Sequence, residues 1–181
     1  MYTNPSVQTV SLIVEVRTAS SPACNAYRLS VDGSSGVSTS LGDLYCASNP
    51  NSTGVRAIVS GIGSIRAADN RLTLEATHVP RQTSVIFLTS RTPGRIPNPI
   101  GHDGILCFGG GIGRFIGPGE IQFTGPTNSA RLDVDLTSVP EGVGFTSVVP
   151  GDVWRFQGWF RDVRDGQATS NFTDALAIRF Q

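Results

Sequence analysis

Both tryptophans of this chain fall in one segment near its C-terminus, Val153-Trp154-Arg155-Phe156-Gln157-Gly158-Trp159-Phe160-Arg161-Asp162. Side chains alternate across a β-strand, so Trp154, Phe156 and Phe160 share one face, while Gln157, Trp159 and Arg161 share the other. A face of three large aromatics is a core face, and the opposite face is expected to point outward. The segment is followed by Ser170-Asn171-Phe172-Thr173-Asp174-Ala175 and by the apolar run Ala175 to Phe180. The C-terminus is therefore expected to be a core hairpin.

The same strand-and-turn rhythm runs back from there to Asp43. Strands are expected at Leu44 to Cys46, Val55 to Ser60, Arg71 to Ala76, Ser84 to Thr89, Ile105 to Phe108, Glu120 to Thr124, Ala130 to Leu136, Val153 to Arg161 and Ala175 to Phe180. Short strands at short intervals predict an all-β fold, an antiparallel β-sandwich of jelly-roll or Ig-like kind. Gly (21) and Pro (11) supply the tight turns such a fold needs, and no stretch carries a helical period. Arg91 to Gly104, rich in Pro and Gly, reads as a long surface loop. Ahead of the sandwich, Gln8 to Arg17 alternates Val10, Leu12, Val14 and Val16 with polar residues, which predicts an extra N-terminal strand. A Ser-, Gly- and Ala-rich connector follows it, so the expected organisation is a strand and connector over 1–42 and a sandwich domain over 43–181.

Charge narrows the functional classes. Charged residues make up 15% of the chain and cancel to a formal net charge of zero, so no global field draws it to nucleic acid. Near-neutral proteins also self-associate more readily, which favours a homo-oligomer or polymer. All fourteen basic residues are Arg; without a lysine, Schiff-base chemistry and the phosphate-binding P-loop are excluded. No apolar run approaches 18 residues and Met1 opens no charged leader, so no membrane insertion is expected.

Motifs for chemistry are weak. The run Gly109 to Gly119 imitates a dinucleotide loop, but the third glycine position falls on Arg114 and no helix follows; a structural turn with close backbone approach fits better. Arg114 in that loop is a candidate anion contact. Asp133 and Asp135 sit opposite Leu132, Val134 and Leu136 in parity, which makes them an outer face rather than a calcium or glycosidase pair. Asp165-Gly166 is a turn signal. Of the two histidines, only His102 beside Asp103 suggests a base, and no nucleophile elbow accompanies it. Cys24, Cys46 and Cys107 lack zinc spacing. Cys46 with Cys107 is the favoured disulfide, because each ends an apolar strand beside a turn; Cys24 with Cys46, or three buried thiols, are the alternatives. No cofactor is expected.

One ordered set of motifs carries a resemblance: Tyr45-Cys46, Pro50-Asn51-Ser52-Thr53-Gly54, Leu72-Thr73-Leu74, Leu106-Cys107-Phe108-Gly109-Gly110 with Ile112-Gly113-Arg114, and the C-terminal aromatic segment with Ser170 to Ala175. This order resembles a β-rich C-terminal domain that recurs in predicted secreted and surface proteins of planctomycetes and myxobacteria. The match spans roughly residues 43 to 181 and leaves the strand at Gln8 to Arg17 outside it. The resemblance implies an extracellular or cell-surface location, attachment to other modules and oxidation of Cys46 with Cys107. It implies no activity.

The expectation from all of this is a non-enzymatic extracellular structural or adhesive module. Val10, Leu12, Val14 and Val16 would supply a strand for self-assembly into fibres by β-strand addition. The alternative is a carbohydrate-binding module, with polysaccharide held on Trp159, Gln157 and Arg161.

Overall fold

The computed structural model describes residues 40–181 of the chain. The expected assembly strand through Val10, Leu12, Val14 and Val16 lies outside the described residues, as does Cys24. What is described is nearly all β. In chain order the strands are β1 (Asp43–Cys46), β2 (Ile58–Gly63), β3 (Leu72–Thr77), β4 (Ser84–Ser90), β5 (Pro93–Pro97), β6 (Ile105–Phe108) and β7 (Gly113–Arg114). They continue as β8 (Gln122–Phe123), β9 (Ala130–Val134), β10 (Val139–Glu141), β11 (Gly144–Thr146), β12 (Val153–Arg164), β13 (Gln167–Phe172) and β14 (Ala175–Arg179). A single 3-10 turn at Ala67–Asp69 interrupts them.

All pairings are antiparallel. The larger sheet has seven strands in the order β1-β14-β12-β4-β7, with β13 also on β12 and β8 also on β4; the smaller runs β2-β3-β9. Two hairpins, β5–β6 and β10–β11, stand apart from these sheets. The fold is thus an all-β antiparallel sandwich, with β12 as its spine: the first half of β12 pairs with β14 and its second half with β13.

Alternation sets the core. Trp154, Phe156 and Phe160 on β12, Val85 and Phe87 on β4 and Leu176 and Ile178 on β14 meet Val59, Leu74 and Leu132 of the smaller sheet in one buried cluster. Arg91 closes this cluster at one end, its guanidinium 4.7 Å from the Trp154 ring centre and both terminal nitrogens on the Asp152 carboxylate, at 3.0 and 3.2 Å. On β9, Leu132 and Val134 point inward, and Asp133 points out to accept a bond from the Thr73 hydroxyl at 2.6 Å, as the sequence parity requires.

Two sequence expectations need correction. Arg91 to Gly104 is not simply a loop: Pro93–Pro97 forms β5 and pairs with β6 through an irregular register. Proline is tolerated there because β5 pairs on one side only, so the missing N–H costs no ladder bond. The strand read at Val55 to Ser60 begins instead at Ile58 and runs to Gly63. The Gly-rich run does make a close approach, since a Cβ on Gly113 would lie 1.9 Å from the carbonyl oxygen of Pro140.

Candidate functional site

The outer face of the larger sheet is where the structure departs from a plain sandwich. The β5–β6 hairpin lies over this face, and Leu106 and Phe108 pack with Leu88, Phe172, Ile86, Ile112 and Trp159 into a second, smaller apolar cluster. Three devices fix it there. Cys46 on β1 and Cys107 on β6 form a disulfide, with Cα atoms 6.1 Å apart. Beside it the Tyr45 hydroxyl donates to the Cys107 carbonyl at 2.6 Å. The third device is Gln157, whose amide nitrogen donates to the carbonyls of Ile105 and Thr173, both at 2.8 Å, and whose amide oxygen accepts from the Cys107 N–H at 3.0 Å.

Gln157 therefore is not part of a ligand surface, contrary to the sequence expectation. It shares the parity of Trp159, but β6 covers it and it has no exposed surface. A buried amide needs partners for its donors and its acceptor, and the unpaired backbone of a strand lying over the sheet supplies them. Parity locates a face of the sheet and says nothing about what lies on that face.

Beyond the covered strip, the hairpin and the sheet leave a cleft of about 410 Å³. Ile86, Leu88 and Phe172 form its floor, Trp159 and Ile112 flank it, and Pro99, Ile100, His102 and Leu106 come from the hairpin connection and β6. Arg114 contributes the cationic group. The residues between β5 and β6 thus wall the cleft. Asn98 holds their two ends together, its N–H donating to the Gly104 carbonyl at 2.7 Å. Gly104 has φ +109, and a Cβ there would lie 2.1 Å from the Asn171 side-chain oxygen, so only glycine brings the connection down onto β13.

Trp159 and Arg161 do share the outer face. The Arg161 guanidinium lies 5.0 Å from the Trp159 ring centre and stacks over it, so one face of the indole is occupied by the chain itself. The edge of the ring meets His102, with centroids 6.2 Å apart and planes at 87°. The Trp159 indole N–H points to His102 Nδ1 at 3.5 Å, and the Ser170 hydroxyl makes a close contact with the same nitrogen. His102 and Asp103 do not act on each other: Asp103 pairs with Arg164 at 2.8 Å. Ser170 itself is buried. These polar groups position the wall of the cleft.

A separate polar cluster explains several motif residues that sequence alone left scattered. Buried Asp162 accepts from the Ser52 and Val163 N–H groups at 3.2 and 2.9 Å, and Asp174 accepts from the Ser48 N–H at 2.6 Å. Asn171 donates to the Pro50 carbonyl at 3.2 Å, and the Asn51 amide reaches the His78 carbonyl at 2.7 Å. The loop 48–54 is thereby stapled to β12, β13 and the start of β14. Asp162 and Asp174 serve backbone donors, and no cluster of metal-ligating side chains occurs among the described residues. No described helix is long and apolar enough to cross a membrane.

Compared with protein-family models, curated proteins and solved structures, the chain matches none.

Proposed function

We propose that the protein is a non-enzymatic extracellular module of structural or adhesive type that recognises its target through the cleft under the β5–β6 hairpin. The observation that carries this reading is the built wall: a disulfide, a fully buried glutamine and a tyrosine hydroxyl all hold the hairpin over the sheet, and between them an apolar cleft stays open. A pre-formed concave apolar surface with a few polar groups is the usual form of a recognition site. The disulfide supports an oxidising, extracellular setting, in line with the motif resemblance. Ser170, buried beneath His102, and Asp103, engaged by Arg164, support binding over catalysis.

The polysaccharide reading is weaker on this geometry. Sugar recognition uses an open aromatic face with planar polar groups around it. Here Arg161 covers one face of Trp159, and the remaining lining is mostly apolar with few polar groups to meet sugar hydroxyls. Self-assembly through the N-terminal strand rests on residues outside those described, so the cleft carries the reading instead.

The test is protein-observed NMR against fragments of several classes, including sugars, apolar acids, amines and short peptides. The expected result is saturable shifts at Ile86, Leu88, Trp159 and His102. Shifts confined to other surfaces, or none across the set, would overturn the reading.

A further inference from the structure

The cleft is asymmetric in its chemistry, and the asymmetry points to one ligand class. Arg114 stands beside Leu88 on the β4–β7 ladder, and Trp159 stands beside Ile86 on the β4–β12 ladder. Because β7 and β12 flank β4 on opposite sides, their backbones bound a floor two strand spacings across, about 10 Å. Ile86 and Leu88 form the strip between them.

The arginines near this face differ in how far they are engaged. Arg164 is paired with Asp103, Arg155 donates to the Arg91 carbonyl and lies over the Tyr45 ring, and Arg161 is stacked on Trp159. Among the described residues, Arg114 makes only a long bond, 3.4 Å, to the Ile112 carbonyl, and no carboxylate pairs with it. A guanidinium at the edge of an apolar cleft is complemented by an anion on an apolar body. Its planar fork matches a carboxylate, and one arginine balances one negative charge, whereas a phosphate monoester brings nearly two.

We propose that the cleft binds a small amphiphilic carboxylate, with its apolar part on Ile86, Leu88, Leu106 and Trp159 and its carboxylate on Arg114. This rests on the cleft being the recognition site. The apolar part loses water against a pre-formed surface, which gives affinity; the charge-assisted bonds to Arg114 give orientation and selectivity for acids.

The test uses the full chain in its oxidised form and three probes of equal length, octanoate, octan-1-ol and octylammonium, each below its aggregation concentration. Binding is read from the indole N–H resonance of Trp159, with that of core-buried Trp154 as the internal control. Octanoate is expected to shift Trp159 saturably and to bind about tenfold or more tightly than octanol, the difference that charge-assisted hydrogen bonds supply. Octylammonium is expected to bind more weakly than either. Arg114→Gln, at an exposed position, is expected to lower octanoate to the affinity of octanol and leave octanol unchanged, and Arg114→Lys to restore part of the difference. Equal affinity for octanoate and octanol, or an Arg114→Gln protein that still prefers octanoate, would overturn the carboxylate assignment while leaving the cleft as a binding site. No response to any of the three would overturn both.

Discussion

Gln157 shows how one side chain can hold a layer of structure. Its fully buried amide meets the Ile105 carbonyl and the Cys107 N–H of β6 and the Thr173 carbonyl beyond β13, so an apolar replacement leaves all three groups without that partner. Gln157→Leu keeps the volume and is expected to cost about 3 kcal/mol in denaturant unfolding, the penalty for several orphaned buried groups. A loss under about 1 kcal/mol would mean that the hairpin backbone finds other partners. Tyr45 gives a second prediction at this scale. Burial pushes its phenol up from the ordinary 10.0 to about 12, with the Arg155 guanidinium acting in the opposite direction. The folded value lies above the unfolded one, so this residue's contribution to stability is complete below pH 10 and is lost as pH rises towards 12. A phenolate absorbance titration of the native protein should show this late transition, and Tyr45→Phe should remove it. A Tyr45 midpoint near 10 would contradict the partly shielded, hydrogen-bonded phenol.

The element of greatest consequence is the β5–β6 hairpin. Its sequence hides it, because β5 carries Pro93, Gly94 and Pro97 in five residues, a composition that reads as loop. Its partner β6 is legible from Ile105 to Phe108 as an apolar run, and the structure has it at those bounds. The disulfide joins this element to β1 across a separation of 61 residues. On chain entropy a closure of that length contributes about 4 kcal/mol, so reduction should lower unfolding stability by roughly that amount. Tyr45, Gln157 and the Asp103–Arg164 pair remain after reduction, so circular dichroism should stay native-like under mild conditions. Loss of the β-sheet signal on reduction alone would show that those contacts do not suffice.

At the scale of the molecule, the two faces of β12 do different work. Trp154 has no exposed surface and lies in the main cluster, so Trp154→Ala should destabilise the fold by about 4 kcal/mol through the cavity it leaves. Trp159 is half-buried at the cleft, and Trp159→Ala should cost clearly less stability while weakening octanoate binding as read from the Ile86 and Leu88 resonances. Equal destabilisation by the two variants would place Trp159 in the core in energetic terms and remove the distinction between the faces. Acrylamide should correspondingly quench one of the two indoles and spare the other.

The sequence by itself determined the class of fold, the inward faces of β9 and β12 and the ends of β6, because each follows from local periodicity or from residue type beside a turn, while among the cysteine pairings it left open the structure has Cys46 with Cys107. Tertiary structure alone decided that Gln157 is buried, that His102 meets Trp159 and Ser170 rather than Asp103, and that Asp162 caps the backbone of a loop 110 residues away. The physical reason is the layer on the outer face. A two-residue period states which side of a sheet a residue occupies, and only the packing of a distant hairpin across that side makes it a core, a wall or an open cleft.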